Sequence, residues 1–318
     1  MTLLYLSRGD MEALKLTAAD IVGCIEHLSR GRETGSVSNA PKSALKPDPD
    51  RFFMSTLAVA DDPPFMAVKS LGMNATNGQR DLPSIGALIT LFDGLSGHPV
   101  AVMDGDWITA QRTAGLSALA AKYMARPNSS ALAFVGCGAQ AQSHLELLTE
   151  MFPITEIRAL GRGAANRDAL CQRGRQMGLT AIAAADARDA LDGADIVITS
   201  VPGSSALQPF LDTEWLQPGA FVSMVDLARS WFPDGLDRFS HIIIDDAPQE
   251  ATMKTPMVKM SLVKGDLQDL VSGREPGRAS DEECTAFAFR GLAIGDLALA
   301  AAAYQRAVEM DMGISLPR

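Results

Sequence analysis

The sequence predicts an α/β protein in which a doubly wound parallel sheet is inserted into a second, α+β domain. Three observations support this. A short apolar run, Ala131–Val135, leads into a glycine turn, strand and helix patterns alternate after that turn, and strands joined by short turns precede it. Alternating β and α segments are typical of parallel sheets, whereas hairpins build antiparallel ones. At 318 residues, the chain has the length of about two domains.

The glycine turn, Gly136-Cys137-Gly138-Ala139-Gln140-Ala141, has the spacing G-x-G-x-x-A, which is a form of the dinucleotide-binding fingerprint. The first glycine permits a sharp turn, the second lets a pyrophosphate approach the backbone, and the small alanine lets the helix pack on the strand. The N–H groups at the start of that helix suit phosphate. We therefore expect Gly136, Gly138, Ala139 and Gln140 to bind a dinucleotide in a Rossmann-type domain.

Before the turn, the patterns favour short strands connected by turns and loops. The predicted strands are residues 3–6, 42–45, 51–59, 65–71, 87–92 and 99–103. A helix is expected after Thr17, which forms a near capping box with Asp20. A second, long helix is expected over residues 108–125. Polar and glycine-bearing residues predict a turn at 7–10 and loops at 31–41 and 72–83.

After the turn, the patterns alternate between strand and helix. The predicted strands are residues 156–161, 179–184, 194–199, 221–225 and 241–245, and the predicted helices are 142–152, 164–177 and 187–193. The alanine-rich stretch 286–310 is expected to be helical throughout and to return to the first domain. These patterns predict a Rossmann domain over residues 125–297 and a second domain from residues 1–124 plus 298–318.

Composition excludes several classes of protein. A formal charge of −10 and a pI near 4.9 argue against nucleic-acid binding. The four cysteines are scattered without metal-ligand spacing, so reduced thiols and no structural metal are expected. No signal-peptide pattern or membrane-length apolar run is present in the sequence, and we expect a cytoplasmic protein without membrane contact.

Several stretches resemble the ornithine cyclodeaminase/mu-crystallin family. They are Leu91-Phe92-Asp93 with Gly97, Ala101-Val102-Met103-Asp104-Gly105, Ile108-Thr109-Ala110-Gln111-Arg112-Thr113-Ala114, the glycine turn, Gly193-Ala194-Asp195-Ile196-Val197-Ile198-Thr199 and Leu216-Gln217-Pro218-Gly219-Ala220. The resemblance implies a homodimer in which the N-terminal half and the last helix form the substrate-binding and dimerisation domain. It also implies an active site between the domains, where a nicotinamide cofactor serves imine reduction or amino-acid deamination.

The resemblance assigns roles to several residues. Lys69, a cation in an otherwise apolar strand, matches the family's active-site lysine, the alternative being an edge lysine that extends to water. Arg112 matches an arginine that holds the substrate carboxylate beside the nicotinamide, a task for which a guanidinium fork is suited. Thr113 matches a residue near cofactor phosphate, and Ser84 one on the nicotinamide side.

Further candidates surround this core. In relatives, an arginine on the first of the paired strands binds the substrate carboxylate. The best match here is Lys42, which offers a point charge instead of a fork, and Arg51 across the turn is the other candidate. At the carboxyl ends of the sheet strands, where ligands of α/β proteins bind, Thr199 and Asp226 are expected at the cofactor, with Asp226 also catalytic. Arg229 is a candidate for an anionic substrate group or a cofactor phosphate.

The sequence departs from the cyclodeaminating relatives at two places. Ala228 stands where they have an aspartate, and their second acidic position falls near Ser55 or Thr56. These differences argue against cyclodeamination. Arg290 also stands where relatives have a small residue.

Cofactor choice depends on the end of the second Rossmann strand, where an acid would bind the ribose hydroxyl of NAD. The chain has Gly161-Arg162-Gly163 there, so Arg162 favours the 2′-phosphate of NADP(H), with NAD(H) as the alternative. We therefore expect an NAD(P)H-dependent reductase of a small anionic ketimine such as pyrroline-2-carboxylate, or a related amino-acid dehydrogenase. The alternatives are an ornithine cyclodeaminase-type lyase with bound NAD and a non-catalytic protein that binds nucleotide and a small ligand.

Overall fold

The computed structural model describes residues 2–48, 50–203 and 207–317. They form two compact units. The first comprises Met1–Arg112 and Leu292–Arg318, and the second comprises Thr113–Gly291. The second unit is therefore inserted into the first along the chain, with its boundaries somewhat before the positions that the sequence suggested.

The described chain contains strands and α-helices that we number in order. The strands are β1 (Thr2–Leu6), β2 (Val37–Asn39), β3 (Ser43–Asp48), β4 (Arg51–Asp61), β5 (Pro64–Asn74), β6 (Ile85–Asp93), β7 (Pro99–Asp104), β8 (Ala131–Val135), β9 (Glu156–Leu160), β10 (Thr180–Ala183), β11 (Ile196–Thr199), β12 (Phe221–Met224), β13 (His241–Ile244), β14 (Val263–Asp266), β15 (Thr285–Ala288) and β16 (Ile314–Pro317). The helices are α1 (Arg8–Ala13), α2 (Ala18–Thr34), α3 (Gly105–Met124), α4 (Ala139–Met151), α5 (Ala164–Gln176), α6 (Ala187–Leu191), α7 (Ala247–Ala251), α8 (Leu267–Ser272) and α9 (Ala293–Glu309). None of these helices is long and apolar enough to cross a membrane.

The first unit is built on a mixed sheet with the strand order β16-β1-β7-β6-β5-β4-β2, and β3 pairs with β4. Helices α2 and α9 pack against each other, and α9 also packs on β4 and β5. Helix α2 begins at Thr17, whose side chain forms the expected capping box with Asp20. Alternate residues of β5 are buried beneath the helices, because successive side chains of a strand point to opposite faces.

The second unit is a doubly wound α/β domain. Its sheet has the order β10-β9-β8-β11-β12-β15-β13-β14, and all its described pairings are parallel. Strands β11, β12 and β15 are buried at every position, as expected when both faces of a parallel sheet are covered. The strand order reverses between β8 and β11, which is where ligands bind in sheets of this type.

The structure corrects four local predictions. Residues 286–310 are not one helix: residues 285–288 form β15 in the middle of the sheet, and the left-handed backbone of Gly291, with φ 91°, separates it from α9. Alanine favours helix only weakly, and burial between two strands overrides that preference. The expected turn at 7–10 is the start of α1, capped by Ser7. The expected loop at 31–41 contains the end of α2 and β2, and the one at 72–83 contains the end of β5.

Candidate functional site

In the first unit, four polar side chains from β4, β5, α3 and α9 meet in the core. Thr56 and Lys69 are direct cross-strand neighbours on β4 and β5, on the face that α9 covers. Asp296 of α9 accepts a hydrogen bond from Lys69 Nζ at 2.8 Å on Oδ1 and one from Thr56 Oγ1 at 3.1 Å on Oδ2. Arg112 Nε lies 3.0 Å from the same Oδ1. We call Thr56, Lys69, Arg112 and Asp296 the cation cluster.

The cation cluster carries more positive than negative charge. Its members are between 2% and 8% exposed, so two cations and one carboxylate share a site with little water to screen them. Burial, followed by the charge of Arg112, lowers the pKa of Lys69 to about 8, although Asp296 opposes this. Burial also disfavours the charged form of Asp296, but Lys69 and Arg112 hold its pKa below the ordinary value. At neutral pH, the cluster therefore has one positive charge in excess.

Arg112 has hydrogen-bond donors that no described residue accepts. Its Nε and Nη1 atoms are buried without a hydrogen-bond partner among the described residues, even though Nε is close to Asp296. Buried donors of a charged group are costly to leave unpaired. A guanidinium donor without a partner, beside an excess positive charge, is an arrangement that suits a carboxylate.

The structure places the other candidates of this unit, Lys42, Arg51 and Ser84, in different surroundings. Lys42, just before β3, is near enough for its charge to lower the pKa of Lys69 further. Arg51 is exposed and pairs with Asp48 at 2.5 Å, and strand alternation places it on the opposite face of β4 from Thr56. Ser84 is exposed just before β6, where its carbonyl oxygen accepts a hydrogen bond from the amide of Asn74 at 2.8 Å.

In the second unit, the fingerprint turn has the geometry of a phosphate site. Gly136 has φ 99°, and a Cβ there would lie 2.7 Å from the carbonyl oxygen of Ser200, so this position requires glycine. A Cβ at Gly138 would meet nothing within 4 Å in the described structure. Gly138 is also the N-cap of α4 and provides no side-chain cap, which leaves the N–H groups of Ala139 and Gln140 available to an anion.

Gln140 provides a second indication that the turn fits a ligand. Its Oε1 atom is buried and has no hydrogen-bond partner among the described residues. A buried acceptor of this kind calls for a donor, and the hydroxyl and amide groups of a dinucleotide are donors. The residues around the turn therefore fit such a cofactor.

Asp226 lies after β12, close to the end of β11. It accepts hydrogen bonds from Thr199 Oγ1 at 3.0 Å and from Ser230 Oγ at 2.6 Å. Burial raises its pKa above the ordinary value, although the hydrogen bonds from Ser230 and Thr199 oppose the change. Asp226 and Thr199 thus meet at the carboxyl edge of the sheet, and a carboxyl group that retains its proton more readily suits proton transfer.

The segment after Asp226 has an unusual backbone. Leu227 and Ala228 have φ values of 63° and 60°, in the left-handed region that non-glycine residues enter at a cost. Trp231, which is fully buried, fixes the end of the segment. Arg229 is exposed, and a side chain at Gly203 would overlap its guanidinium group.

The remaining cofactor candidates are also placed. Arg162 is exposed two residues after β9. Thr113 is buried on α3, directly after Arg112. Arg290, which stood out in the sequence, has a structural role: it forms a two-pronged ion pair with the buried Glu250 and donates to the carbonyl oxygen of Thr255 at 2.7 Å.

The sequence interpretation missed two residues. Asp296 was overlooked within an alanine-rich helix, although a lone acid in the apolar run 293–299 is itself a signal, because such a residue needs a partner. Ser230 carries no local signal, since its role depends on the turn that follows β12.

The second unit is thus a Rossmann-type domain with a phosphate turn of the kind that binds dinucleotides, and the first unit contains a buried cluster with an excess of positive charge. The model of the ornithine cyclodeaminase/mu-crystallin family matches residues 4–311. The chain belongs to this family.

Individual relatives agree with this assignment. The chain is 34% identical to the ketimine reductase mu-crystallin of Rattus norvegicus over 229 residues, which is 70% of each chain. The structure of Thermococcus litoralis Delta(1)-pyrroline-2-carboxylate reductase in complex with NADH and L-proline matches with a TM-score of 0.89 and 25% identity, covering 99% of this chain and 100% of that one. An archaeal alanine dehydrogenase dimer with bound NAD matches with a TM-score of 0.87 and 26% identity, covering 100% and 99%.

Proposed function

We propose that the protein is a nicotinamide-dependent oxidoreductase that reduces a small anionic ketimine, such as pyrroline-2-carboxylate, to the amino acid. The observation that carries this proposal is the cation cluster, with its excess positive charge and the Nη1 donor of Arg112, which has no hydrogen-bond partner among the described residues. The names of the relatives, which include a ketimine reductase and a pyrroline-2-carboxylate reductase, agree with it.

The residues divide the chemistry between them. Arg112 and Lys69 hold the substrate carboxylate, and Lys42 adds positive charge. A nicotinamide bound at the glycine turn would supply the hydride that the carbon of the C=N bond receives. The imine nitrogen gains a proton as the C=N π bond is lost, and Asp226, whose pKa is raised, is the donor we assign. We assign the pyrophosphate to Gly136, Gly138, Ala139 and Gln140, and further cofactor contacts to Thr113 and Thr199 of the same unit.

Reduction of pyrroline-2-carboxylate and piperideine-2-carboxylate, followed as loss of reduced-cofactor absorbance, tests this function. We expect turnover that falls at least tenfold in Arg112→Lys, because a lysine keeps the charge and loses the fork. Absence of turnover with both imines, together with steady ammonia release from ornithine, would instead establish the lyase. Cofactor binding without turnover on any imine would establish a binding protein.

We further propose that NADPH is preferred over NADH. Arg162 is exposed two residues beyond β9, and no acidic residue follows that strand up to Gly163. A 2′-phosphate would gain a charged partner there. The matched solved structures contain NADH or NAD, so the comparison of both cofactors is essential. Arg162→Gln should raise KM for NADPH about tenfold and leave KM for NADH unchanged, and equal KM values in the unaltered enzyme would refute the preference.

We also propose a homodimer formed through the outer face of the first unit's sheet. The inner face is covered by helices, whereas the outer face exposes Phe53 at 53%, Leu57 at 44% and Leu88 at 52%. Apolar areas of this kind are typical of interfaces between protein chains. Light scattering should give twice the 33.7 kDa chain mass, and Leu57→Lys should shift the protein to monomer. A monomeric unaltered protein would refute the proposal.

A further inference from the structure

The second unit contains a buried chain of hydrogen bonds that the function proposed above does not use. Ser223 Oγ donates to Ser117 Oγ at 2.8 Å, Ser117 Oγ lies 2.8 Å from His144 Nε2, and His144 Nδ1 lies 2.7 Å from the carbonyl oxygen of Gln140. Ser117, His144 and Ser223 are each 0% exposed. A fully buried polar network of this kind constrains the elements that it joins.

The chemistry of the partners fixes the direction of every hydrogen bond. A carbonyl oxygen only accepts, so His144 Nδ1 carries a proton. Burial lowers the pKa of His144 to about 4, so the ring is neutral at pH 7 and Nε2 is an acceptor. Ser117 must then give its proton to Nε2, since its other acceptor, the carbonyl oxygen of Thr113, is 3.4 Å away. The Ser117 oxygen remains to accept from Ser223.

This hydrogen-bonded network joins three elements, α4, α3 and β12, that carry residues expected to bind the dinucleotide. Gln140 is in the first turn of α4, whose N–H groups follow the glycine turn. Ser117 is one turn of α3 beyond Thr113. Ser223 is in β12, which leads to Asp226. The position of the first turn of α4 relative to α3 and β12 therefore depends on Ser117 and His144.

We propose that Ser117 and His144 are positioning residues for the dinucleotide, holding the first turn of α4 in place through this hydrogen-bonded chain. This rests on the proposed function, because it requires a dinucleotide to bind at the glycine turn. Phosphate recognition by backbone N–H groups depends on their exact placement, since a helix turn has no side chains to adapt. Loss of these hydrogen bonds should therefore weaken nucleotide binding more than it slows the chemical step.

The test measures the Kd of the full-length protein for NADH and NADPH by fluorescence titration. Ser117→Ala should raise Kd about tenfold, the size expected for one buried hydrogen bond, with kcat at saturating cofactor unchanged within about twofold. Ser129→Ala is the matched control. It also removes a buried serine hydroxyl in this unit, one that donates to the carbonyl oxygen of Arg126 at 2.7 Å, and should leave Kd unchanged.

Two substitutions of His144 separate the hydrogen bond of Nε2 from that of Nδ1. His144→Gln can place an acceptor where Nε2 lies and should retain nearly the original Kd, whereas His144→Asn retains only the donor toward Gln140 and should resemble Ser117→Ala. If Ser117→Ala does not fold, Ser223→Ala, which leaves the pair of Ser117 and His144 intact, should raise Kd about threefold. An unchanged Kd in the folded variants, or an equal rise in the Ser129 control, would overturn the inference alone. Failure of the unaltered protein to bind either nucleotide would overturn the proposed function as well.

Discussion

Replacement of Asp296 by asparagine is the sharpest test of the cation cluster. It removes the negative charge that Lys69 and Arg112 share and keeps the size of the side chain. Lys69 Nζ is 2.8 Å from Asp296 Oδ1. For charge centres about 4 Å apart and an effective dielectric constant of about 20, the attraction is about 4 kcal/mol. Since one pKa unit corresponds to about 1.36 kcal/mol, the pKa of Lys69 should fall by up to about 3.

The consequence is a displaced pH profile. Because we assign binding of the substrate carboxylate to the charged form of Lys69, kcat/KM of the unaltered enzyme should decline as pH rises through about 8. In Asp296→Asn, this decline should move towards about pH 5, and kcat/KM at pH 7 should drop at least tenfold through loss of a charge-assisted hydrogen bond. Ionisation of the substrate itself contributes equally to both profiles, so the difference between them reports on Lys69.

The assay is imine reduction from pH 5 to 9 at saturating cofactor. Asp61→Asn is the matched control, because Asp61 is an exposed carboxylate on β4, the strand that carries Thr56. Its decline should stay at about pH 8. If kcat/KM of Asp296→Asn still declines at about pH 8, the decline cannot be assigned to Lys69. The free energy of unfolding should also fall by about 3–5 kcal/mol, the usual effect of removing one member of a buried ion pair, as measured by urea denaturation.

Three further outcomes are expected. Gly136→Ala should lower the melting temperature, because its Cβ would collide with Ser200. Gly138→Ala should leave the melting temperature unchanged and weaken nucleotide binding at least tenfold. Equal melting temperatures of the two variants would contradict the turn geometry. Asp226→Asn should reduce kcat about 100-fold with little change in nucleotide Kd, through loss of a general acid, and an unchanged kcat would remove Asp226 from the mechanism. The pKa of His144 is lowered from 6.5 to about 4, so the stability that its neutral form contributes is complete above pH 6.5. The free energy of unfolding should therefore fall by about 3 kcal/mol between pH 6.5 and pH 4. Urea denaturation of the unaltered protein and of His144→Gln at these two pH values checks this.

The local features of the fold were predictable from the sequence. The fingerprint turn and the capping box of Thr17 and Asp20 depend on a few consecutive residues, and both have the expected geometry. Strand β15 was not predictable in this way. Its four residues are strand because β12 and β13 flank them, and alanine-rich sequence alone favours a helix.

The same distinction applies to the site. Lys69 and Arg112 were identified through resemblance to a family, and the structure shows them sharing one carboxylate. That carboxylate, Asp296, is 227 positions from Lys69 in the chain, and no local pattern connects the two. Lys42 and Arg51 remained alternatives because a side chain's face depends on strand register, which the sequence did not specify across the turn.

Each oxygen of the two buried carboxylates already accepts one hydrogen bond from a protein side chain, and this favours the proposed reduction over deamination of a diamino acid. A substrate such as ornithine has a second ammonium group, which needs an acceptor in the site. Asp296 already accepts from Lys69 and Thr56, and Asp226 accepts from Thr199 and Ser230. At Ala228, where the resemblance to cyclodeaminating relatives would place an aspartate, there is no side-chain acceptor. A monoanionic imine, the substrate that we propose, needs only cations such as Lys69 and Arg112 and one proton donor.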